Sequence, residues 1–114
     1  MKEEKNQGLR FGSVADAPIR ACLRQILALS HVVKVVVYGS YAKGTNRDDS
    51  DLDVAVFFDL PEDRMLECYH RLVPLCRIPE MDIQVQAFPA AELSSPCGIF
   101  EEILRYGIEW TEEK

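Results

Sequence analysis

The chain has 114 residues, 47% of them hydrophobic and 28% charged, with a formal charge of −6 from 13 basic and 19 acidic side chains. That length and apolar fraction suit one folded domain with one core, and they exclude a disordered chain. No apolar run is long enough to span a bilayer, and the acidic balance disfavours direct nucleic-acid binding, which needs a basic surface.

Residues 1–13 read as a polar, Gly-containing, flexible lead-in, and 14–114 as a single domain. The lead-in has no apolar core behind its charges, so it is not a secretory signal, and a cytoplasmic location is expected. Asp16 stands where it can cap a helix over roughly 17–30, with Pro18 in the first turn. Ile19, Cys22, Leu23, Ile26, Leu27 and Leu29 keep its helical period. Val32 to Tyr38 is a β-branched, buried strand, with Val33, Val35 and Val37 on one face and Lys34, Val36 and Tyr38 on the other. A polar loop or short helix follows. The second strand is Asp51 to Phe58, with Leu52, Val54, Val56 and Phe58 opposite Asp51, Asp53, Ala55 and Phe57.

Asp59-Leu60-Pro61 opens a helix that carries Met65, Leu66, Tyr69, Leu72, Val73 and Cys76, and Pro74 bends or ends its regular part. Met81 to Phe88 is a third strand, and a helix near 98–110 presents Phe100, Ile103, Leu104, Gly107 and Ile108 as a buried stripe that Trp110 closes. The apolar positions of this last helix suit an oligomer or partner interface as well as a core. The fold expected is α/β (α+β), with a small three-stranded sheet and helices mainly on one face. Cys22, Cys68, Cys76 and Cys97 form no CxxC pair and read as buried free thiols rather than a disulfide or zinc framework. His31 and His70 form no catalytic pair and read as structural or surface residues.

Asp51 and Asp53 are two apart on a strand, so their carboxylates share a face. Such a pair repels unless a cation, proton or basic group intervenes, and it offers the hard oxygen ligands that Mg²⁺ takes alongside substrate phosphates. A solvated strand start is the plain alternative. Asp82, in the alternation Asp82, Gln84, Gln86, completes a three-carboxylate cluster if its strand lies beside the second. Such a cluster holds metal and orients or deprotonates an incoming hydroxyl, which is the chemistry of phosphoryl or nucleotidyl transfer. Gly39-Ser40 ends the Val-rich strand, where tight backbone geometry, a hydroxyl and free amides can meet phosphate oxygens, and Gly44 allows a further turn or close approach. Taken alone, Gly-Ser before a loop is an ordinary turn. Ser50 caps local backbone ahead of the paired acids. Lys43 and Arg47 suit contacts with polyphosphate, or simply offset the acidic loop at Asp48 and Asp49.

Gly39 to Val56, GSYAKGTNRDDSDLDVAV, matches the pattern GSxxxGxxxxxSDxDxxV at every fixed position. The chain resembles the minimal nucleotidyltransferases (MNT) of the DNA polymerase beta-like superfamily, over nearly its whole length. The resemblance implies a nucleotidyltransferase fold. It places Gly39 and Ser40, with Lys43, Gly44 and Ser50 around them, at a nucleoside triphosphate site. It makes Asp51 and Asp53 ligands of two Mg²⁺ ions and Asp82 the third acid. Tyr41 and Lys43 stand where the family often has arginines; Lys43 keeps the charge without the planar fork, and Tyr41 keeps neither.

The resemblance also implies ATP as substrate and a HEPN-domain toxin as partner. Some family members neutralise the toxin by transferring AMP to one of its tyrosines. An acceptor site in so short a chain is shallow, supplied by a partner, or formed across a homo-oligomer. The alternatives are a non-catalytic antitoxin that acts by binding alone and a small-molecule nucleotidyltransferase.

Overall fold

The computed structural model of the protein describes residues 11, 15–47 and 50–111. Asp48, Asp49 and most of the 1–13 lead-in lie outside them. Phe11, inside that lead-in, is nevertheless buried against the core, with its ring 6.1 Å from that of Tyr41.

Helix α1 spans Asp16–Leu27 and buries Ile19, Cys22, Leu23 and Ile26, the stripe its period demands. Asp16 does not cap it. No side chain caps this helix, and the Asp16 carboxylate instead accepts from Arg20 Nε at 2.9 Å, one turn on. The helix also stops short of residue 30. The amide of Ala28 donates to the carbonyls of Arg24 and Gln25, and that of Leu29 to Ile26, so the last apolar residues of the period lie in a turn. The chain reverses at His31, whose φ is 72° and whose carbonyl accepts from Asp59 N at 2.7 Å.

Strand β1 is Val32–Tyr38, the short helix α2 is Ser40–Lys43, and β2 is Leu52–Phe58. Pro61 precedes a 3₁₀ turn at Glu62–Arg64, which leads into α3, Met65–Leu72, and then a 3₁₀ turn at Val73–Cys76. Pro74 has no amide to donate, which is why regular helix ends before it. Cys68, Leu72 and Cys76 face inward, whereas Leu66 and Tyr69 are exposed. Strand β3 is Ile83–Pro89, α4 is Ile99–Tyr106, and β4 is Ile108–Glu109.

The sheet has four strands, not three, in the order β3-β2-β1-β4. β2 pairs antiparallel with β1 and parallel with β3, and β4 pairs antiparallel with β1 at Val36 and Val37. A bulge between Val32 and Lys34 turns Val33 outward, 49% exposed, while Val35 and Val37 stay buried.

The larger core lies between one sheet face and α1 with α3, built from Ile19, Leu23 and Ile26 against Val35, Val37, Leu52, Val54, Val56 and Phe58. α4 covers the other face, burying Ile103 on Val36, Ala55 and Phe57. Its expected stripe is cut at Gly107, which adopts extended backbone (φ −73°, ψ 161°) and sends Ile108 into the sheet. Trp110 therefore does not close that stripe. It enters the larger core, with its amide bonded to Val35 O at 2.8 Å and the Arg20 guanidinium over its ring. Ile99 and Tyr106 of α4 remain exposed. Cys22, Cys68 and Cys76 are buried free thiols, the sulfurs of Cys22 and Cys76 lying 3.9 Å apart, but Cys97 is exposed. No helix among the described residues is long and apolar enough to cross a membrane.

Candidate functional site

Strand register decides where the acids lie. Leu52 is fully buried in the larger core, so Asp51 and Asp53 project to the opposite face, the one that α4 partly covers. The parallel pairing sets Leu52 beside Ile83 and Asp53 beside Gln84, and Leu52 N donates to Asp82 O at 2.9 Å. Ile83 packs against the larger core, so Asp82 and Gln84 share the face of Asp51 and Asp53. The condition set by the sequence, that the third strand lie beside the second, is met. Among the described residues, however, no three acidic, imidazole or thiol groups are close enough to form a ready-made metal cluster. Asp51 and Asp82 are both exposed.

Asp53 is the most constrained of the three. Burial, and then the negative charge of Asp51, push its carboxyl above the ordinary carboxylate range. Neither carboxylate has a basic partner among the described residues. Two hard oxygen donors on one face that repel one another fit a divalent cation of the Mg²⁺ type.

Across the sheet, Asp53 is paired with Tyr38, whose phenol is likewise pushed up by burial and by the Asp53 charge. Tyr38 thus lies beside Asp53 and lines the cleft at Gly39, a position that its place in the strand alone does not disclose. Gly39 itself has φ 75° and ψ −152°, and a Cβ built there would overlap the Asp53 carboxylate. Both the backbone and the space require glycine. Gly44 ends α2 in the left-handed region at φ 76°, with nothing within 4 Å of its would-be Cβ, so it serves a turn and not a close approach.

Ser40 opens α2 and is half-buried. Ser50 Oγ accepts from Arg47 N at 2.7 Å, and Ser50 N donates to Arg47 O at 3.1 Å, closing the loop just before the acids. Arg47 is exposed. Tyr41 is a core residue, 5% exposed. Lys43 points to α4: its Nζ is 3.3 Å from Glu102 Oε2 and 5.4 Å from the centre of the Tyr106 ring. Between α4 and the Gly39 turn lies a cleft of about 200 Å³ lined by Tyr38, Gly39, Lys43, Ile99, Glu102, Ile103 and Tyr106. The α4 contribution was hidden from the sequence, because nothing local links residue 102 to residue 43. Asp82 borders a second, open groove of about 480 Å³ with Arg77, Pro79 and Gln84 at the β3 edge.

The mixed sheet thus carries acids at the starts of two adjacent parallel strands, beside a Gly-Ser turn into a short helix. The family profile described as the nucleotidyltransferase domain matches residues 19–113, and the chain belongs to that family. No curated protein matches it in sequence. Among solved structures it is similar to a "putative nucleotidyltransferase" from Sulfolobus solfataricus at 17% identity, covering 92% of this chain and 93% of that one with a TM-score of 0.62. It is also similar, more distantly, to a toxin–antitoxin structure with AMP-PNP (22% identity, 86% of this chain and 74% of that one, TM-score 0.48). A mutant toxin–antitoxin structure, MntA-HpeT, gives 20% identity over the same shares with a TM-score of 0.46.

Proposed function

We propose that the chain is a Mg²⁺-dependent nucleotidyltransferase that moves AMP from ATP to a hydroxyl, in the first instance a tyrosine of a HEPN-type toxin partner in the cytoplasm, and so acts as an antitoxin. The observation that carries the reading is the shared face of Asp51, Asp53 and Asp82 next to the Gly39 turn. Asp51 and Asp53 would hold the metal, with Asp82 as the third acid. When bound, it neutralises phosphate charge and aligns an in-line displacement.

The chain's own groups do the rest. Gly39 lets the backbone and the Asp53 carboxylate lie against one another, so the turn and the acid present as one surface. Ser40, with Lys43 and the turn at Gly44, receives the phosphate tail. Ser50 fixes the loop that leads into Asp51. The acceptor oxygen attacks the α-phosphorus, the bond from that phosphorus to the bridging oxygen breaks, and pyrophosphate leaves. Asp82 orients the acceptor hydroxyl and takes its proton. The open groove beside Asp82 gives a side chain from another molecule room to approach.

The test is mass spectrometry of a co-expressed neighbouring protein, made with this chain or with its Asp51→Asn/Asp53→Asn variant. One added AMP on a tyrosine, present only with the unaltered acids, is expected. Absence of transfer across nucleotides and metals would sink the catalytic reading. A second reading is neutralisation by binding alone. Full neutralisation by the double variant would favour it.

A further inference from the structure

Among the described residues that line the cleft beside Gly39, Lys43 is the one basic side chain, and it is already engaged there by an anion of the same chain. Glu102 and Tyr106 lie one helical turn apart on α4, so both meet the Lys43 ammonium from one face. α4 is firmly seated: Ile103 is buried, and Phe100 meets Phe88 edge-on at 4.8 Å. The backbone that carries Glu102 is therefore anchored, and Lys43 reaches it on a flexible four-carbon stem from the end of α2. Among the described residues Lys43 is the only cation paired with Glu102, while Arg105 pairs with the neighbouring Glu101.

A carboxylate offers an ammonium the same anionic oxygens as a terminal phosphate. We propose that Glu102 is a positioning residue that holds Lys43 at the cleft in place of the β- and γ-phosphates, yields it when a nucleoside triphosphate binds, and reclaims it as pyrophosphate leaves. The inference rests on the nucleotidyl-transfer reading of the site. Both members of the pair are largely exposed, at 45% and 60%, so the exchange is inexpensive. Tyr106 keeps the ammonium over its ring during the swap, which limits where the freed lysine can go. Glu102 thus tempers affinity for anything carrying a phosphate tail and leaves the nucleoside monophosphate end alone.

Equilibrium binding of ATP, AMP and pyrophosphate to the full chain in Mg²⁺ buffer tests this, with Glu102→Gln, Lys43→Met and the double variant. Glu102→Gln is expected to tighten ATP and pyrophosphate roughly two- to five-fold, the scale of an exposed ion pair, and to leave AMP unchanged. In the Lys43→Met background the gain disappears. A gain that persists there, or that extends to AMP, would mean a diffuse charge effect and overturn the exchange. So would weaker or unchanged ATP binding by Glu102→Gln. If no form, wild type included, binds ATP or pyrophosphate, the nucleotide reading itself falls and the exchange with it; binding that Glu102 does not modulate removes the exchange alone.

Discussion

Gly39 carries two separate requirements, and they predict different substitution costs. Its φ and ψ lie in a region that only glycine populates readily, and the space beside its Cα belongs to the Asp53 carboxylate. Gly44 carries only the first kind, a left-handed turn with open space around it. Gly39→Ala is expected to cost about 1–3 kcal/mol in a urea melt, and to slow transfer by about 10²-fold or more through displacement of Asp53. Gly44→Ala should cost about 1–2 kcal/mol with little loss of rate, and Gly44→Asn less. Asp53 supplies a pH signature. Its carboxyl is raised, by burial first and the Asp51 charge second, so the folded chain holds a proton that the unfolded chain would release. That contribution to stability is present below the ordinary carboxylate range and is lost as pH rises through the raised value. In buffer with a chelator at about pH 7, Asp53→Asn should therefore melt above wild type, and the gap should close as pH falls toward the ordinary carboxylate range. A gap that stays constant with pH would mean that the asparagine acts by packing instead.

At the scale of elements, α4 is the part whose attachment matters most to the site, because it supplies one wall of the cleft and the partner of Lys43. Its anchor is Ile103, 1% exposed. Ile103→Ala should lower stability by about 2–5 kcal/mol, read from the urea midpoint. Hydrogen exchange along Ile99–Tyr106 should rise more than along β2. The strands β1 and β2 and the acids at the start of β2 were legible in the sequence because a two-residue period and a dense motif both speak locally. Asp82 was legible only on a condition, that its strand lie beside the second, and pairing is a long-range fact. β4 was not legible. Ile108 extends the helical stripe of Phe100, Ile103 and Leu104, so periodicity alone carries the helix past Gly107, and only the docking of Val36 and Val37 against Ile108 and Glu109 converts the tail to strand. The end of α1 failed in the same way, since Leu29 keeps helical period inside a turn. Tyr41 shows the reverse case: a departure from the family's usual residue reads as lost phosphate contact in sequence, and as a filled core position in structure.

For the molecule as a whole, the net charge of −6 and the pair at Asp51 and Asp53, which has no basic partner among the described residues, set a cost that a bound cation would remove. A ligand that binds only the folded chain stabilises it in proportion to the logarithm of its saturation, about 2.7 kcal/mol at a hundred times its Kd. For a domain of this size that is a rise in Tm on the order of 10 °C. Mg²⁺ with ATP should produce such a shift in the wild type. ATP with a chelator should produce much less, because an anion then approaches acids that nothing screens. The Asp51→Asn/Asp53→Asn variant tells two sources of stabilisation apart. It should melt higher than wild type without ligand, having lost the repelling pair, yet gain little from Mg²⁺ with ATP. A variant that gained as much as wild type would place nucleotide binding on the Gly39 turn and Lys43 alone, and would remove the metal-holding role proposed for the acids.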